Sequence, residues 1–196
     1  MEVLGQFHPQ IVHTPIALLI FSALFALLGR LFDRDWLRKT AMVMLVIGAL
    51  GAFVAMRSGY YAHDVPEDKQ GVPEEAIDDH AAKALITFRL AMAALLAYVI
   101  ATRLKGNAKT AVSVLGLALQ ISAAVSVGIT GKEGGELVYE YGANVKVDGK
   151  LVKNPGADEH YAEWLKSQVS RQRRPTAPRS ASRSIRTPVP VSSNRA

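Results

Sequence analysis

Residues 11–29 read IVHTPIALLIFSALFALLG, a run without Lys, Arg, Asp or Glu. A helix of roughly 20 apolar residues crosses a hydrocarbon core of about 30 Å, so this stretch predicts a membrane span. Outward from it come three more: residues 40–61 (TAMVMLVIGALGAFVAMRSGYY), 81–102 (AAKALITFRLAMAALLAYVIAT) and 110–130 (TAVSVLGLALQISAAVSVGIT). Lys83 and Arg89 interrupt the third. The lead MEVLGQFHPQ has no basic residue, and Arg30, Arg34, Arg38 and Lys39 follow the first run in place of a small-residue cleavage site. That pattern predicts a retained helix and not a cleaved signal peptide. The connections between spans one and two, and between three and four, are short. The expected fold is therefore an all-α membrane protein, an up-down bundle of four transmembrane helices over residues 1–130.

Composition agrees once it is divided along the chain. Mean hydropathy is +0.14 and net charge +6, but residues 171–196 alone hold seven Arg and no acid. This leaves 16 Lys+Arg against 17 Asp+Glu in the rest. The basic pI therefore belongs to the tail. No aromatic residue interleaves with its arginines, which argues against nucleic acid as a partner. Absence of Cys excludes disulfides, thiolate metal sites, attached c-type haem and cysteine catalysis.

Orientation follows from the short loops. Residues 30–39 carry four basic residues and 103–109 carry Arg103, Lys105 and Lys109, whereas 62–80 carry seven acids and one Lys. The positive-inside rule places the two basic loops in the cytoplasm and both termini outside. After the last span, ELVYEY, NVKV and KLVK alternate in polarity, and Asp148-Gly149 is a hairpin turn signal. A small β-hairpin or three-stranded ribbon is expected, then a short amphipathic helix from Asp158, together filling residues 131–170. Residues 171–196, rich in Arg, Ser and Pro, read as a disordered tail. Small residues form two stripes suited to close packing in lipid: Gly48, Ala52, Ala55 and Gly59 on the second span, and Gly116, Ala124 and Gly128 on the fourth.

On this topology all five His fall on the outer side. His13 and His80 lie at the ends of the first and third spans, which are diagonal in an up-down bundle. Two imidazoles so placed could bind a haem iron axially or form part of a zinc or copper site. Below His80 the face is Ala84, Thr87, Ala91 and Ala94, small enough to leave room for a macrocycle. His8 and His63 are reserve ligands. Arg57 and Arg89 lie within spans that contain no acid, and such charges usually mark a function or a partner; haem propionates are one counter-charge. Arg57 also reads as snorkelling to headgroups. Arg89 is half a turn out of phase with His80, which also suits a contact with another protomer or chain. Gly131, Gly134 and Gly135 are expected to turn the chain after the fourth span, laying LVYEYG over the bundle mouth with Tyr139 or Tyr141 near a His.

The stretch FHPQIVHTPIALL (7–19) resembles the HP-x-x-VH-[FT]-PIAL start of bacterial membrane proteins grouped as domain of unknown function 2231. Gly59, His80 and TGKEGGELVYEYGANV (130–145) look like that family's later landmarks, and the likeness covers about residues 5–147. The matching positions are His8, Pro9, His13, Pro15, His80, Gly131, Gly134, Gly135, Leu137, Val138, Tyr139, Gly142 and Val145; Thr14 departs from the Phe common there. The resemblance implies a four-helix bacterial inner-membrane protein. Some relatives are joined to redox or cytochrome modules, which implies a haem or electron-transfer role.

Three functions stay open on the sequence. The first is a b-type haem or metal-binding protein passing electrons to a redox or cytochrome partner. The second is a structural or accessory subunit. The third is a small channel or transporter, its pore built by homo-oligomerisation with Gln120, Ser122 and Ser126 inside. No nucleophile motif or carboxylate pair near the histidines points to an enzyme.

Overall fold

The computed structural model describes residues 2–63, 66–152 and 154. Two short helices, α1 (Glu2–Gln6) and α2 (His8–Ile11), lead into α3 (His13–Leu31). Then come α4 (Asp35–Ala62), a π-helical turn at Pro66–Gln70, α5 (Glu74–Arg103) and α6 (Gly106–Tyr139), followed by β1 (Lys146–Val147) and β2 (Lys150–Leu151). Four helices are long and apolar enough to cross a membrane: His8–Leu31, Asp35–Ala62, Glu74–Arg103 and Gly106–Tyr139. Only 22–33% of each apolar window is buried within the chain, so most of the apolar surface faces outward, as helices solvated by lipid require.

The helices pack α3 on α4, α4 on α5, α5 on α6 and α6 on α3, with α3 and α5 across the diagonal. In lipid there is little hydrophobic gain from helix association, so close backbone approach and interhelical hydrogen bonds hold the bundle. Both are present. Leu19, Leu45, Ala49, Ala91, Ala94, Ala123 and Val127 form the core. Leu19 fits against Gly48, and Pro15 sits on Gly51. Thr87 Oγ1 lies 2.8 Å from Ser126 Oγ and 3.1 Å from Thr130 Oγ1, and Tyr98 Oη donates to Gln120 Oε1 at 2.8 Å. The small-residue stripe on α4 is inside as expected, with Gly48, Ala52 and Ala55 buried. On α6 the inward face is instead Gly116, Gln120, Ala123, Val127 and Thr130, while Gly128 is exposed with open space beside it. Gln120 faces inward and Ser122 outward, so they do not form one lining.

The largest departure from expectation is α6, which runs through Gly131, Gly134 and Gly135 to Tyr139 where a turn and a strand were expected. Ion pairs explain its persistence: Lys132 with Glu136 one turn apart, and Glu133 with Lys83 of α5. The glycine that ends it is Gly142, at φ +70°, a left-handed conformation that costs glycine nothing. The hairpin is accordingly two residues per strand, Lys146 opposite Leu151 and Val147 opposite Lys150. Its Asp148-Gly149 turn has φ of +51° and +74°, as a two-residue turn of this type demands. The helix expected from Asp158 and the tail 171–196 lie outside the described residues.

Gln70 ties this end together. Its side chain donates to the carbonyls of Gly142 (2.7 Å) and Val152 (2.6 Å) and accepts from the Asn144 amide (2.7 Å). Val72, Ile77 and Ala143, with Leu137 and Tyr141 against them, form a second small core beneath. The α4–α5 connection and the hairpin are thus one cap on the end of the bundle that also holds α1 and α2.

Candidate functional site

The site forms at that capped end. α2 packs against α4 and brings the His8 ring over Gly59, where a Cβ would stand 3.0 Å from His8 Cε1. His8 Nδ1 lies 2.8 Å from Ser58 Oγ. Ser58 donates its single hydroxyl proton to the Ala55 carbonyl at 2.8 Å, so its oxygen is the acceptor towards His8. An Nδ1–H tautomer fits this arrangement and would leave Nε2 with a free lone pair. His80, near the start of α5, rests in the same way on Gly134 of α6, again with 3.0 Å from a Cβ to its Cε1. The two rings stand edge to face, with centroids 6.4 Å apart and planes at 82°.

Around His80 the bonding is incomplete. His80 Nδ1 and Glu133 Oε2 are buried with no hydrogen-bond partner among the described residues, while the Thr130 carbonyl bonds the His80 ring. Glu133 acts electrostatically on His80, and so does Lys83. Lys83 and Glu133 are paired across α5 and α6, beside a cleft of about 140 Å³ lined by Asp79, Glu136, Glu140 and Tyr141 among others. Buried polar atoms left without partners call for an explanation, commonly a bound water or ligand.

The other expected site residues are elsewhere. His13 was expected to face His80 through the core, but it is exposed, because Pro15 on the opposite side of the same turn takes the inward position. His63 Nδ1 lies 3.3 Å from Glu67 and its Nε2 3.9 Å from Asp78. Arg57 donates to Tyr61 Oη at 3.3 Å and lies over the rings of Tyr60 and Tyr61, so aromatic faces are its partners here. Arg89 faces out of the bundle. Pro9 occupies the first turn of α2, and Tyr139 is 90% exposed, so it bonds no histidine. The face below His80 is inward, with Thr87, Ala91 and Ala94 buried. It is filled by helix packing, however, and leaves no slot: Ala91 and Ala94 are fully enclosed against Leu19, Leu45 and Ala123. Ser58, Glu133 and Gln70 were not singled out from the sequence. Ser58 precedes a motif glycine by one position, which was a usable signal; Gln70 carried none.

A four-span helical bundle with a polar, histidine-bearing cap at one end defines a polytopic membrane protein. The profile of the family described as "Predicted membrane protein (DUF2231)" matches residues 6–147, from just before His8 to the end of β1, and the chain belongs to that family. No curated protein and no solved structure matches it.

Proposed function

We propose that the chain is an electron-transfer membrane protein that binds b-type haem at the capped end, where His8 and His80 would hold it. The nearness of their rings, with centroids 6.4 Å apart, carries this reading; because the rings stand edge to face, one of them would have to turn to bring both nitrogens onto one iron. Two imidazoles bound in line to one metal through bonds of about 2 Å hold their centroids roughly 6 Å apart. Ligating histidines usually give their other ring nitrogen to a neighbouring acceptor. His8 does so to Ser58, and the unpartnered Nδ1 of His80 has the Glu133 carboxylate close by. Two imidazoles suffice for haem, whose ring supplies the other ligands. A lone zinc ion asks for three or four protein ligands, and no group of three or more His, Asp or Glu is placed for one among the described residues. Because the core below Thr87 is filled, a macrocycle would have to sit at the cap and not between the spans. Bound there, haem supplies reversible one-electron exchange. His8 and His80 would hold it, and Ser58, 2.8 Å from His8 Nδ1, would orient one of the two rings. By the positive-inside rule this end faces outward from a bacterial inner membrane, towards a redox partner.

An absorption spectrum of detergent-purified protein from haem-sufficient cells tests it. A Soret band is expected that is lost in His80→Ala and in His8→Ala and kept in His13→Ala. No Soret band, or one that survives both of the first two substitutions, sinks the reading.

A further inference from the structure

Arg89 sits well inside α5. Lys83 of the same helix, with its α6 partner Glu133, marks where polar groups begin at the capped end. Arg89 lies about 9 Å further in, at 1.5 Å per residue, and about 21 Å from Arg103 at the other end. It is exposed on the outward face, and Ile86, Met92, Leu96 and Ile100 make up the rest of that stripe, each exposed by 44–60%. Arg89 has no hydrogen bond or ion pair among the described residues. Arg57 shows the contrast: it lies near the end of α4 and is covered by Tyr60 and Tyr61.

A charged group at that depth requires a counter-charge or access to water. This chain holds no Asp or Glu in residues 11–29, 40–61, 81–102 or 110–130. A second copy in the same orientation therefore brings no carboxylate to the level of Arg89. We propose that the Arg89 stripe of α5 docks a membrane helix of a different chain, one carrying an Asp or Glu at matching depth. The apolar residues above and below Arg89 give the helix contact, and the guanidinium, with its planar fork of donors, pairs the carboxylate. This interface stands independently of haem binding.

The chain has no Cys, so single-cysteine variants can be labelled cleanly. The labelled protein is placed in vesicles of zwitterionic phosphatidylcholine with a synthetic leucine–alanine transmembrane helix carrying one mid-span Glu or, as control, Gln. Energy transfer between labels reports association. The Glu helix is expected to bind roughly three- to tenfold tighter than the Gln helix. Arg89→Leu should remove that difference, and Leu96→Trp on the same stripe should weaken binding. Leu50→Trp, on the exposed face of α4, should leave it unchanged. Equal binding of the two helices, or a preference that survives Arg89→Leu, overturns the proposal. So does Arg89→Cys reacting with a membrane-impermeant maleimide as readily as Lys150→Cys, which would put position 89 at the water with lipid phosphate as the counter-charge. Arg89-dependent transfer between two labelled copies overturns the choice of a different chain.

Discussion

Pro15 decides which histidine of the N-terminal motif enters the bundle. It is buried against Gly51 of α4. At 100° per residue, position 8 falls about 20° from position 15, whereas position 13 falls roughly 160° away. The backbone stays helical through Val12, at φ −63° and ψ −24°, so this phase carries across from α3 to α2. His8 therefore shares the inward face of Pro15, and His13 cannot. The phase was legible in the sequence; choosing His13 for its nearness to the span end ignored the proline. What no pattern could show is the hydroxyl that orients His8. Ser58→Ala removes the hydroxyl beside His8 Nδ1 and leaves the Ala55 carbonyl as the ring's remaining neighbour. The expected cost is about 0.6–1.7 kcal/mol, in the range of interhelical hydrogen bonds in membranes. Denaturation in mixed micelles measures it, and the Ser58→Thr variant, which keeps the hydroxyl, should recover most of the loss. If Ser58→Ala unfolds like wild type, the hydrogen bond does not hold the ring.

At the scale of the element, α6 gives a test in which the three motif glycines separate by sign. Within a helix, Ala is favoured over Gly by about 0.8–1.0 kcal/mol. At Gly135 an added Cβ meets only its own helix's Tyr139 at 3.9 Å, and at Gly131 only Ile16 at 3.5 Å, both ordinary contacts. Gly131→Ala and Gly135→Ala should each raise stability by several tenths of a kcal/mol, read as a shift in thermal unfolding in detergent. Gly134→Ala instead sets a methyl 3.0 Å from His80 Cε1, and overpacking of that kind costs about 1–3 kcal/mol. Were residues 131–139 a turn and strand, the first two changes would destabilise as well. The sequence suggested that turn because three glycines within five residues outweigh other local signals, and ELVYEY alternates as a strand does. The deciding contacts are tertiary: Glu133 with Lys83, and Leu137 against Val72 and Ile77. The four spans were plain because about twenty apolar residues admit one reading in lipid. Their true ends were not, since apolarity stops at the membrane while α5 and α6 continue past it.

The whole molecule has two unlike ends. One carries the basic stretches 30–39 and 103–109; the other carries the acidic connection, both histidines of the pair and the Gln70-tied hairpin. Gln70 joins partners more than 70 positions away in the chain, a long-range fact that no local pattern encodes. The basic end is less positive than its count of Lys and Arg, because Arg38 pairs with Asp33 and Asp35, and Lys39 with Asp35. Orientation nevertheless follows Lys and Arg with little weight for acids, so Arg30, Arg34, Arg38 and Lys39 all count, as do Arg103, Lys105 and Lys109. The acidic connection offers only Lys69 against them. The capped end should therefore face outward. In a chain without cysteine, Asn107→Cys at the start of α6 and Lys150→Cys in the hairpin report the two ends directly, since both positions are exposed. In intact spheroplasts an impermeant maleimide should label Lys150→Cys at once and Asn107→Cys only after lysis. The reverse pattern would turn the histidine pair towards the cytoplasm. Equal labelling of both before lysis would mean mixed insertion, which would imply that the paired acids of the α3–α4 turn do cancel the charge bias.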